Sequence, residues 1–130
     1  MKKFLILMLT VLISVSAIKV GYAYDELNNK NQFLSSLGIT DGITLDSGRQ
    51  ITRAEFVAMV VRALNISYGG ANDMSFSDVN SKTCSFVDEI YIAKSLRLTN
   101  GVGEGVFSPN TGIGLNDACK MLVEIGRAHV

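Results

Sequence analysis

Tryptophan is absent from the 130-residue sequence, proline and histidine occur once each, cysteine occurs twice, and twelve basic side chains are cancelled by twelve acidic ones. Zero net charge leaves no positive excess to release counterions from nucleic acid or to hold an anionic membrane surface, so neither is expected as a partner. Two thiols do not make a disulfide framework; Cys84 and Cys119 read as small apolar residues or, after export, as one bridge. The single histidine, His129, falls in a closing heptad, residues 124–130, that looks like the in-frame translation of a sequencing-library adapter. That heptad is expected not to belong to the natural protein and is given no functional role. Without His129 the sequence has no histidine base or ligand, no Ser-x-x-Lys or Gly-x-Ser-x-Gly arrangement, and no paired carboxylates on a recognisable scaffold. No catalytic residue, cofactor or metal is assigned, and the visible chain is read as non-enzymatic.

Hydrophobic residues make up 48% of the chain, and many of them lie in Phe4 to Ile18, behind Met1-Lys2-Lys3. A basic start, an apolar run and the small-x-small sequence Gly21-Tyr22-Ala23 read as a secretory signal peptide over residues 1–23, with Ala17 as the second cleavage choice. Lys19 stops the run short of the roughly 20 apolar residues that a membrane span needs. Removal of the signal takes Lys2, Lys3 and Lys19, leaving nine basic and twelve acidic residues, a net charge of −3. The mature chain is expected to be exported, mildly acidic and free of the membrane.

The remainder repeats itself. Ile51 to Val61 lies over Ile113 to Val123 at an offset of 62, with Ile51/Ile113, Met59/Met121 and Val61/Val123 identical, and Leu37 to Gly42 lies over Leu96 to Gly101 at an offset of 59. Each copy reads as helix, loop, helix. Phe86, Ile90, Ala93 and Leu96 form one stripe on a helix from about Cys84 to Arg97, which Asn100-Gly101 is expected to stop. Residues 102–112 read as loop, with a short extended piece around Val106-Phe107. Thr52 and Glu55 form a capping box that starts a helix running to about Asn65, with Phe56, Met59, Val60, Ala63 and Leu64 as its buried stripe. The second copy replaces the box with Gly114 and Asp117 and is expected to bury Ala118, Met121 and Leu122. In the first copy the leading helix has room only between Glu26 and Ser36. The domain reading is therefore signal 1–23, a shortened first repeat 24–66, a linker 67–73, a second repeat 74–123, and the heptad 124–130.

Three signatures follow one another in register on this repeat: Ile51-Thr52-Arg53-Ala54-Glu55-Phe56, then Phe76-Ser77-Asp78-Val79, then Asn100-Gly101 leading to Val106-Phe107-Ser108-Pro109-Asn110. Together they resemble the S-layer homology family over nearly everything from Leu34 to Val123. The resemblance implies a mainly α fold in which helix-loop-helix repeats form part of a pseudo-threefold helical bundle. It also implies non-covalent anchoring of an exported protein at the cell surface, through secondary cell-wall polysaccharide that is often pyruvylated, in a Gram-positive-type envelope. Further repeats or an effector domain in a longer protein are the partners it suggests. Arg53 is the position that matches the family's main ligand contact, with Thr52, Glu55, Asn100 and Gly101 as the other expected glycan-binding residues and Asp78, Phe107 and Pro109 as structural ones.

Residue chemistry suits that role, because a guanidinium offers paired donors in the plane of a pyruvyl carboxylate, and the free amides of a helix start also favour an anion. Three departures stand against it. The second copy has Leu115 where the motif arginine would be, the family's first-helix tryptophan is missing with Phe86 the nearest aromatic, and only one groove looks competent. The alternative is a degenerate repeat module that packs on protein and binds no glycan. Asp78-x-Asn80-x-Lys82, with Glu89 at the twelfth position, has the outline of a calcium loop, but Lys82 places a positive charge where an oxygen ligand is required and Thr83 replaces the turn glycine. Asp78 is expected instead to cap the following helix or its preceding turn.

Overall fold

The computed structural model describes residues 28–46, 48–66 and 76–128. The signal segment and the linker 67–73 lie outside the described residues. The chain divides into two compact units, Met1–Leu37 and Gly38–Val130. In the first, α1 is helical over 28–36, and Phe33 is exposed. The second contains α2 (Arg53–Ala63), α3 (Val87–Ser95) and α4 (Leu115–Ala128). Among the described residues there is no strand, only two isolated antiparallel bridges, Thr52 with Gly112 and Gly103 with Val106. The fold is mainly α, and no described helix is long and apolar enough to cross a membrane.

The internal repeat is visible in the register of the elements. α3 occupies the positions 59 residues after α1, and α4 starts 62 residues after α2. α2 begins where the capping box places it: the Thr52 hydroxyl accepts from the Glu55 amide at 3.2 Å, and Glu55 accepts from the Thr52 amide at 2.7 Å.

Its core face is not the expected one. α2 buries Ala54, Val57, Ala58 and Val61 against α3, whereas Phe56, Met59, Val60 and Leu64 only border the core and Ala63 is exposed. The segment is apolar at almost every position, so periodicity does not choose a face. The small Ala54 and Ala58, one turn apart, leave room for the close approach of a second helix. α3 is also shorter than Cys84 to Arg97, burying Ile90, Tyr91 and Ala93, with Phe86 buried at its N-cap. On α4, Met121 is buried but Leu122 is 51% exposed. Cys84 lies buried before α3 and Cys119 is exposed on α4; they are not bridged. Burial pushes the Cys84 thiol pKa up, away from reactivity.

Both long-loop helices stop in the same way. After α2, Asn65 takes a φ of 50° and its amide donates to Arg62, while the Ile66 amide reaches back to Val61. After α3, Arg97 takes a φ of 60°, its amide donates to Lys94 at 2.9 Å, and the Leu98 amide donates to Ala93 at 2.8 Å. These are Schellman stops. Arg97, and not Asn100-Gly101, therefore ends α3.

Asp78 caps neither α3 nor its own turn. Its two carboxylate oxygens accept from the Phe107 amide at 2.8 Å and the Ser108 amide at 2.7 Å, some thirty residues away. That clamp seats Phe107, which is fully buried with its ring centroid 5.3 Å from that of Phe76.

Candidate functional site

The start of α2 is enclosed by the loop of the other copy. The Arg53 amide donates to Thr111 at 2.8 Å and the Ala54 amide to Pro109 at 3.0 Å, while the Ile113 amide returns a bond to Ile51 at 3.0 Å. With the capping box, all four amides that a helix start leaves unpaired are taken. The expected contribution of free amides to anion binding is thereby overturned. Pro109 acts through its carbonyl, an acceptor that a proline retains.

The Arg53 side chain leaves this start and turns inward. The residue is 7% exposed, its guanidinium stands 5.5 Å from the centroid of the Phe107 ring, and Nη1 donates to Asp117 Oδ2 at 2.9 Å. Nε is buried without a hydrogen-bond partner. An orphaned buried donor is destabilising by about 1–3 kcal/mol, so a single monodentate bond leaves this guanidinium under-satisfied. Asp117 belongs to the second copy and is the counterpart of Glu55 in the first. Arg53 holds its carboxyl below the usual range, first by the hydrogen bond and then by charge, and Lys120 at 3.6 Å assists.

Around this pair lies a cleft of about 420 Å³, bounded by Arg53, the 97–101 turn and one side of α4. Asn100 and Gly101 line it, so three of the five expected glycan residues converge although 47 positions or more separate Arg53 from the others. Gly101 takes a φ of +80°, and a Cβ there would stand 2.3 Å from the Val106 carbonyl oxygen. Thr99 is buried beneath, its hydroxyl accepting from the Gly101 amide at 3.2 Å. Three cations border the cleft, Arg53, Arg97 and Lys120, with Asp117 and Glu124 as its acids. Glu124 belongs to the heptad set aside above and pairs with Arg127.

Thr52 and Glu55 face elsewhere. They line a separate cleft of about 220 Å³ with Lys82, Thr83 and Asn110. Glu55 is ion-paired with Arg49 at 2.9 Å, and Arg49 also donates to the Thr44 carbonyl. Burial pushes the Glu55 carboxyl upward, but the bonds from Arg49 and Thr52 outweigh it and hold the pKa low. Both residues are engaged in starting α2.

Arg97, Asp117 and Lys120 were not among the expected site residues. The signal for Arg97 was present in the repeat alignment, since Gly38 stands at the equivalent position of the first copy. Among the described residues no cluster suited to a metal ion occurs.

Residues 75–113 match the family described as S-layer homology domain. Over 76 residues the chain is 38% identical to endo-1,4-beta-xylanase A of Thermoanaerobacterium saccharolyticum, a stretch that covers 50% of this chain and 6% of that protein. The chain thus spans a small part of the relative's length. No solved structure matches it significantly.

Proposed function

Because the chain carries an S-layer homology domain at residues 75–113, we propose that it attaches an exported protein non-covalently to the cell surface, by taking an acidic secondary cell-wall polysaccharide into the cleft beside Arg53. The domain match supports surface attachment at the level of the family. The observation that carries the finer reading is the convergence of Arg53, Asn100 and Gly101 on one open cleft with two further cations. Guanidinium and amide donors suit a sugar carboxylate and hydroxyls, and Gly101 lets backbone approach the ring. Thr52 and Glu55 serve the site indirectly, by fixing where α2 begins. The function is binding, with no catalytic step. The relative's name is that of a polysaccharide-degrading enzyme, and an effector of that kind is a suitable cargo for such an anchor. Its place is the wall of a Gram-positive-type bacterium, reached after removal of residues 1–23.

One observation favours the structural alternative: Arg53 is buried and already holds Asp117. Co-sedimentation with purified wall sacculi separates the two readings. Arg53→Ala, confirmed as folded by circular dichroism, is expected to stay in the supernatant, as is the parent chain after chemical removal of pyruvate from the wall. Sedimentation of Arg53→Ala equal to that of the parent would leave Arg53 itself with only the structural role.

A further inference from the structure

The two copies solve one backbone requirement with different residues. Gly38, two residues past α1, has a φ of +71°, and Arg97, two residues past α3, has a φ of 60°. The left-handed region is open to glycine without penalty and costs a residue with a Cβ on the order of 1 kcal/mol. The neighbouring equivalents have not diverged in this way: Thr40 and Thr99 are both buried threonines, and Gly42 and Gly101 are both glycines, at +72° and +80°. Arginine at position 97 is therefore disfavoured by the backbone, and the residue borders the cleft.

The cleft's electrostatics show what that side chain supplies. Arg53 is buried and its charge is met by Asp117, while Lys120 also leans on Asp117 at 3.6 Å. Arg97 is exposed, and no ion pair involving it forms among the described residues. At the motif position of the second copy, Leu115 is 80% exposed and carries no charge.

We infer that Arg97 is a primary anion contact of the cleft, taking the ligand's carboxylate at its mouth, with the Arg53–Asp117 pair as a fixed floor beneath it. The inference rests on the glycan reading above and locates the charge recognition on a residue outside the motif. Arg97 acts as a flexible exposed fork that closes on the carboxylate in bidentate fashion. The sugar ring then lies toward Asn100 and Gly101.

Arg97→Gly tests this without endangering the fold, because glycine is what the first copy uses there. The probes are a pyruvylated wall polysaccharide and the same polymer depyruvylated by mild acid, titrated against the purified chain by calorimetry. Arg97→Gly is expected to lose roughly tenfold or more in affinity for the pyruvylated polymer, to bind the depyruvylated polymer as the parent does, and to melt no lower than the parent. Arg97→Lys, which keeps the charge and loses the fork, is expected to fall between. Retention by Arg97→Gly of the parent's full preference for the pyruvylated over the depyruvylated polymer would overturn the carboxylate contact. Parent-like binding by Arg97→Gly together with loss in Arg53→Ala would overturn the role of Arg97 and leave the glycan cleft standing. Parent-like binding by both variants would put the glycan outside this cleft and overturn the inference, whereas failure of the parent chain to bind either polymer would overturn the glycan reading itself.

Discussion

Gly101 and Arg97 lie four residues apart on the same turn, and both adopt left-handed backbone. At Gly101 the requirement is steric as well as torsional. A Cβ would stand 2.3 Å from the Val106 carbonyl oxygen and 2.7 Å from the Phe76 ring, so the 101–106 turn would have to open to admit it. That turn is closed by the Val102 amide donating to Val106 at 2.8 Å and the Val106 amide donating to Gly103 at 2.9 Å, and it delivers Phe107 to the core. Gly101→Ala is therefore expected to destabilise the chain by roughly 2–4 kcal/mol, visible as a melting midpoint lower by about 10 °C or more. A loss below 0.5 kcal/mol in urea titration would show that the turn relaxes freely. The contrast with Arg97 is instructive: both positions line the cleft, but at Gly101 the space for a Cβ is filled by Val106 and Phe76, while the exposed position 97 carries a cation.

At the scale of elements, the contact between α2 and α3 joins the two copies, and Arg62 is its polar fastening. Nε and Nη2 both donate to Glu89 Oε1, at 2.9 and 2.7 Å, Nη1 donates to the Asp41 carbonyl at 2.7 Å, and the guanidinium stacks 5.4 Å from the centroid of Phe86. The bonds to Glu89 are half-buried and the one to Asp41 is exposed, and together they tie three segments with one side chain. Arg62→Ala is expected to cost about 2 kcal/mol, and a double-mutant cycle with Glu89→Ala should return a coupling of about 1 kcal/mol. Coupling indistinguishable from zero would reduce the pair to a surface ornament. None of this pairing was legible in the sequence, because it joins residues 27 positions apart on different copies. What was legible is local. The capping box placed the start of α2 at its observed residue, since Thr52 and Glu55 satisfy each other within one turn. The repeat offset placed α4 by the same logic. The buried face of α2 was misread because large apolar residues were favoured where a helix contact selected Ala54 and Ala58. The stop at Arg97 was misread because arginine is a poor C′ residue, and a nearby glycine offered a better one. Three of the five residues expected to bind glycan share a cleft because the motif turn and the helix start belong to one packed unit; Thr52 and Glu55 line another because the same motif that presents Arg53 engages its neighbours as caps.

At the scale of the unit Gly38–Val130, the two copies are fastened by backbone bonds around Ile51 and Ile113, and two carboxylates that work only when ionised hold the start of α2. Asp117 receives Arg53 from the other copy, and Glu55 receives Arg49 while closing the capping box. Both carboxyls have folded-state pKa values below their ordinary ones. A carboxyl whose pKa is depressed by folding contributes stability that is fully present above its unfolded value, near 4, and is lost as pH falls through the folded value below it. The chain is therefore expected to hold its stability from neutrality down to about pH 5 and to weaken progressively beneath about pH 4. Asp117→Asn removes one of these protonation events and should flatten the acid limb of a plot of urea midpoint against pH, while lowering the plateau at neutral pH because Arg53 loses its counter-charge. Glu55→Gln should flatten the limb independently, since the two carboxylates sit in separate clefts and share no partner. An acid limb unchanged in Asp117→Asn would mean that the Arg53 pair contributes nothing to holding the copies together, and that Arg53 is kept buried by its contact with Phe107 alone.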